Sequence, residues 1–112
     1  MVKRHQLGEF EEIVLLWVSI QNEAAYGLSI AEAIREEMNR SVTLSSVHTA
    51  LYRLEDKGYV KSGLGGASSK RGGRRKRIFS ITNSGKEALL SARAMREKLW
   101  KMIPDGLLGF SI

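Results

Sequence analysis

The 112-residue chain carries 18 Lys and Arg against 12 Asp and Glu, a formal charge of +6, and 43% of its residues are apolar. It has no Cys and only two His, His5 and His48, which excludes disulfides and thiolate metal sites and leaves too few ligands for an all-protein zinc site. The length fits one domain; no apolar run approaches the ~18 residues of a membrane span, and MVKRHQLGEFEE turns acidic where a signal peptide would turn hydrophobic, so a soluble cytoplasmic protein without a cofactor is expected.

Residues 7–21, LGEFEEIVLLWVSIQ, place acids in a first turn and follow them with a nearly unbroken apolar run. That is the pattern of a helix buried on most sides, with Trp17 as a core residue. Gly27 then breaks EAAYG, and LSIAEAIREEMNR sets Leu28, Ala31, Ile34 and Met38 at helical spacing, which predicts a second amphipathic helix from about Leu28 to Asn39. Only Arg40 to Leu44 separate it from the next helical pattern. Two helices joined so tightly, the second short and polar on its outer face, form a helix-turn-helix.

That next pattern is SSVHTALYRLEDKGYV, Ser45 to Val60. At about 100° per residue, Val47, Ala50, Leu51 and Leu54 form an apolar stripe, while Ser45, Thr49, Tyr52, Arg53 and Asp56 point the opposite way. Ser45 is the expected N-cap and Gly58 the expected C′ residue. Outward Thr49, Tyr52 and Arg53 supply the donors, acceptors and methyl that major-groove edges recognise, and Ser45, Ser46 and His48 fall near the helix N-terminus, where phosphates bind. On this stretch alone a solvated polar face is an equal alternative. Arg53 has a second reading, an ion pair with Glu55 or Asp56 that would support the helix.

After Gly58 the period changes. Tyr59 to Leu64 and Arg77 to Ile81 alternate, with Val60, Phe79 and Ile81 inward, and predict two strands flanking the loop GGASSKRGGRRK. Between Asp56 and Glu87 there is no acid, but there are nine bases: Lys57, Lys61, Lys70, Arg71, Arg74, Arg75, Lys76, Arg77 and Lys86. Charge so concentrated attracts a polyanion through counterion release. A membrane surface would call for large apolar residues interleaved with the bases, whereas this run is rich in Gly and Ser, so nucleic acid is the expected partner and no membrane is. A basic hairpin after a recognition helix is a wing, with Lys70, Arg71, Arg74, Arg75 and Arg77 as its candidate phosphate or minor-groove contacts. SSKRGGRRK loosely resembles a phosphate-binding loop, but it lacks the Gly-x4-Gly-Lys-Ser/Thr order and is rejected as one.

Thr82 or Asn83 can cap the last helix. Along it Ala88, Leu89, Ala92, Met95, Leu99, Met102 and Ile103 recur at spacings of three and four, a stripe about as wide as a coiled-coil seam, opposite Arg93, Glu97 and Lys101. With the core already supplied by three helices and a hairpin, this stripe is expected to pair with a second subunit through Leu89, Ala92, Met95, Leu99, Met102 and Ile103; packing back on the first helix is the alternative, and both can hold together. Pro104 and Gly106 stop the helix, and the tail DGLLGFSI either docks or extends. Residues 1–82 thus read as a winged helix-turn-helix DNA-binding domain and 83–112 as a dimerisation helix and tail, in a mainly α chain with a small β-hairpin. Trp100, with Arg96 nearby and Trp17 on the first helix, is a candidate contact for a planar aromatic effector; packing of Trp100 into the dimer core against Trp17 or Phe10 is the favoured reading.

EAAYGLSI, VHTALYRLEDKGYV, the wing flank RGGRRK and FSITNSG together resemble the PadR family of bacterial transcriptional regulators over nearly the whole chain. FSITNSG matches the family's aromatic-x-Leu-Thr-x-x-Gly signature with Ile81 in place of Leu. The chain departs from the family at His48, where Tyr is usual, and at Ile78 and Phe79, where two adjacent aromatics are common. The single C-terminal helix resembles the short branch, which dimerises through its C-terminal and N-terminal helices. The resemblance implies a repressor or activator on a two-fold palindromic operator, often released by a small aromatic or cationic effector or acting through a partner; a homodimeric repressor of a nearby promoter is expected. No Ser-His-Asp, paired-carboxylate or metal constellation stands in the sequence, so an enzyme is not expected. A basic RNA-binding protein and a non-specific architectural DNA-binding protein are the alternatives, the first disfavoured by the few aromatics available for base stacking.

Overall fold

Three amphipathic stripes converge on one core in the computed structural model, which describes residues 7–65 and 76–109. The order among the described residues is α1 (Glu9–Gln21), α2 (Gly27–Met38), α3 (Leu44–Asp56), β1 (Val60–Leu64), β2 (Arg77–Ile81) and α4 (Asn83–Lys101). Val14, Leu15 and Val18 of α1 meet Ile30, Ala31 and Ile34 of α2 and Val47, Ala50, Leu51 and Leu54 of α3, with Val60 and Phe79 closing the core from the hairpin. Four helices and a two-stranded hairpin are the expected architecture.

In α1 only Glu9, Leu16 and Ile20 are exposed, on one narrow stripe, and the other residues of the helix are buried or partly buried, as expected. The next two helices differ from expectation in a face or an end. In α2 the buried residues are Gly27, Ile30, Ala31 and Ile34, whereas Leu28 and Met38 stay exposed. The helix starts at Gly27, where its N-terminus lies so close to α3 that a Cβ would overlap the His48 imidazole. Asn39 ends α2 in a left-handed conformation (φ 51°), which Asn tolerates better than most residues.

Thr43, not Ser45, caps α3. Its extended backbone (φ −99°, ψ 153°) suits a β-branched residue, and its Oγ1 accepts from the Ser46 N–H at 3.0 Å. At the other end Gly58 (φ 81°) turns the chain into β1. The strands pair antiparallel, Val60 opposite Ile81 and Leu64 opposite Arg77. Phe79 also donates its N–H to the Ala25 carbonyl at 2.8 Å, so the hairpin base is tied to the segment before α2.

Thr82 caps α4 through Gly85 N–H at 3.0 Å and donates its hydroxyl proton to the Gly58 carbonyl at 2.6 Å. The first half of α4 lies on the body, with Ala88 and Leu89 packed against the core, and from its second half Arg96 reaches back to Glu12 of α1 at 2.8 Å. The second half projects: Met95 (56%), Leu99 (55%), Trp100 (51%) and Met102 are exposed. The radius of gyration, 16.8 Å, exceeds the ~13 Å of a compact chain this long.

Candidate nucleic-acid interface

The outer face of α3 is built by the burial of its inner one. With Val47, Leu51 and Leu54 fully buried, Ser45, Thr49, Tyr52 and Arg53 are turned to solvent, Tyr52 half exposed. Arg53 makes no ion pair with Glu55 or Asp56 among the described residues. Glu55 instead accepts from the Ser62 hydroxyl at 2.7 Å, and Ser62 accepts from Arg77 Nη1 at 3.0 Å. This relay joins α3 to both strands, and it leaves Arg77 exposed but held across the hairpin rather than extended from it.

Two residues expected near phosphates at the helix N-terminus also make contacts within the fold. Ser46 uses its N–H on Thr43 Oγ1 and its hydroxyl on the Thr43 carbonyl, at 2.8 Å for the latter, so it completes the cap. His48 is half-buried against Gly27, with its ring centroid 6.1 Å from that of Tyr52. Tyr52 in turn meets Phe79 edge-on at 6.4 Å. An aromatic row thus runs from the start of α2 across the exposed face of α3 to β2. Of the wing candidates, Lys70, Arg71, Arg74 and Arg75 lie outside the described residues, as does Phe110 of the tail.

The sequence reading missed a pair at the wing's base. The Lys76 ammonium lies 4.3 Å from the centre of the Tyr26 ring and donates to its hydroxyl at 3.2 Å. The basic run contained Lys76, but nothing in the local pattern connected it to the tyrosine of EAAYG. Glu11 was also missed. This carboxylate is 8% exposed inside α1, and it accepts from Lys57 Nζ at 2.6 Å and from the Gly8 N–H at 3.0 Å. Burial pushes its pKa up, but the bonds from Lys57 and Gly8 outweigh burial and hold it below the ordinary carboxylate value. The pair fixes the end of α3 to the start of α1.

Arg40, in the turn, bonds Glu9 at 3.0 Å and lies 5.2 Å over the Phe10 ring. It borders an open cleft of about 530 Å³ with Phe10, Ser41, Val42, Thr43 and Ser46. Neither Trp100, Arg96 nor Trp17 lines that cleft. Arg96 is engaged by Glu12 and the Trp17 indole N–H by Met38 Sδ at 3.5 Å, while Trp100 is exposed. Among the described residues, no group of three or more His, Asp or Glu is placed to hold a metal ion, and no helix is long and apolar enough to cross a membrane.

The family model described as transcriptional regulator PadR-like matches residues 15–91. A comparison with curated proteins gives no match. Among solved structures, the chain is similar to a PadR family transcription regulator from Clostridium difficile R20291, at 34% identity and TM-score 0.63 over 81% of this chain and 93% of that one. A PadR-like transcription factor from Bacteroides fragilis superposes with TM-score 0.70 at 17% identity, covering 84% and 85% of the two chains. Bacillus subtilis PadR, solved in complex with operator DNA, shares the fold at TM-score 0.64 and 20% identity, over 75% of this chain and 46% of that one.

Proposed function

The chain belongs to the PadR-like family of transcriptional regulators, which are not enzymes, and from that membership we propose that it binds duplex operator DNA as a homodimer and represses a nearby promoter. The observation that carries the reading is the unpaired polar face of α3, flanked by a hairpin and supplied with local positive charge. Thr49, Tyr52 and Arg53 read base edges from that face, with Ser45 and His48 at its margin and Ser46 holding the helix start. Lys70, Arg71, Arg74, Arg75 and Arg77 contact phosphates or the minor groove. The fold shared with an operator-bound PadR supports this placement.

In this reading residues 1–82 are the DNA-binding domain and 83–112 the dimerisation helix and tail. The bare second half of α4 supports the division, with Ala92, Met95, Leu99, Met102 and Ile103 meeting a partner and Leu89 bridging core and interface. The exposed Trp100, flanked by Met95 and Arg96, offers a planar aromatic effector a stacking surface where the subunits meet. The test is the ratio of affinities for a palindromic site upstream of the protein's own gene and for random duplex, expected at ~10³ or more. Replacing Thr49 and Tyr52 together by Ala should cost specific binding roughly 1–3 kcal/mol per lost base contact. Equal affinity for both duplexes would instead favour an architectural protein, and stronger binding to RNA an RNA-binding one.

A further inference from the structure

Tyr26 and Lys76 are held together by backbone that is itself fixed. The Tyr26 carbonyl accepts from Ile30 N–H at 3.0 Å, and its own N–H donates to Ser29 Oγ at 3.0 Å. The Lys76 carbonyl accepts from Gly65 N–H at 2.6 Å, closing the hairpin beyond Leu64 and Arg77. From these anchors the lysine stem reaches the tyrosine ring, where the ammonium lies over the ring face and bonds the hydroxyl.

Their location follows from a circuit of contacts. Gly27, next to Tyr26, touches His48; His48 neighbours Tyr52; Tyr52 meets Phe79; and Phe79 donates to Ala25, the residue before Tyr26. The pair therefore stands beside the exposed face of α3, between the start of α2 and the wing. Lys76 is exposed and has no carboxylate partner among the described residues. An ammonium carries three protons, of which the tyrosine takes one, and a hydroxyl that accepts keeps its own proton to donate. Two donors with a net positive charge thus converge on one spot. The ring has already restricted the lysine rotamers, which lowers the entropy an anion must overcome in ordering a long side chain.

We propose that Lys76 and Tyr26 form a preformed contact for one backbone phosphate per subunit, adding affinity without sequence preference at the junction of wing and helix-turn-helix. The proposal rests on the duplex-DNA reading above. The test uses the full chain, with Lys76→Gln, Lys76→Arg and Tyr26→Phe titrated against operator and random duplex over a range of monovalent salt, and thermal melts verifying the fold.

Lys76→Gln should weaken both duplexes by a similar factor, on the order of tenfold at low salt, and make the slope of log affinity against log salt shallower by about 0.9 per bound subunit. Lys76→Arg should keep the slope. Tyr26→Phe, which retains the charge and the ring, should keep the slope with a smaller loss of affinity. A Lys76→Gln protein that binds less tightly on an unchanged slope would make Lys76 a strut for the wing and overturn the contact; so would one that binds normally. A wild type that binds neither duplex would bring down the regulator reading as well, an outcome distinct from a bound wild type whose slope ignores Lys76.

Discussion

At Gly85 the Tyr59 carbonyl passes so close that an added Cβ would overlap it and press on Ile81 Cγ1. The obstacle is backbone and cannot rotate away, so Gly85→Ala should destabilise the fold by about 1–3 kcal/mol, read as a lower denaturant midpoint at unchanged m-value. Thr82 and Gly85 of FSITNSG therefore act together, one capping α4 and the other admitting the hairpin's backbone. Glu11 gives a pH signature. Its folded pKa lies below the ordinary value, so the stability it contributes is fully present above the unfolded pKa of about 4.3 and is lost as pH falls through the folded value. The gap in melting temperature between wild type and Glu11→Gln should be widest near neutrality and narrow as pH drops below about 5. A gap independent of pH would contradict this account of the Lys57–Glu11 pair. The pair was illegible in the sequence because Glu11 and Lys57 meet only through the packing of α1 on α3. The Thr43 cap was missed for a different reason: Thr43 and Ser45 are both good caps, and only the two bonds that Ser46 donates to Thr43 decide between them.

At the scale of elements, period and punctuation made every helix and strand legible, but not always the buried face. The stripe of α3 was read correctly because its four apolar residues stand among polar ones. In α2, Leu28 and Met38 were as apolar as Ile30 and fell at helical spacing, but the buried face is the one carrying Gly27, Ile30, Ala31 and Ile34. In α1 an almost unbroken apolar run hid which side would stay bare. α4 is the element whose two halves differ, Ala88 and Leu89 serving the core while Met95, Leu99 and Met102 stay in solvent. Because Leu99 is exposed in the single chain, Leu99→Glu should leave the fold intact and remove the partner. Light scattering at micromolar concentration should give a dimer for the wild type and a monomer for the variant, with similar far-UV circular dichroism. A monomeric wild type would contradict the role given to this helix.

For the whole molecule, the +6 charge matters less than where it falls. The stretch between Asp56 and Glu87 contains bases without an acid, while half of the twelve acids lie on α1 and α2. Glu9, Glu11 and Glu12 are each paired with a base, Arg40, Lys57 and Arg96, so that part of the surface is largely neutralised. Among the described residues, Arg53 on α3 and Lys61, Lys76 and Arg77 at the hairpin lie together, while Met95, Leu99 and Met102 are exposed on α4. Such a division suits a two-fold dimer that grips DNA with one surface of each subunit and its partner with the other. The concentration of bases and the apolar stripe of α4 were legible in composition and spacing; the junction at Tyr26 was not, because it depends on the Ala25–Phe79 bridge. Hydroxyl-radical footprinting of the region upstream of the protein's own gene tests the central claim most directly. The account predicts two protected patches related by a dyad, with centres about one helical turn, ~34–36 Å, apart and two protomers bound per site. Uniform protection without a dyad, or no protection at concentrations that saturate the duplex, would contradict it.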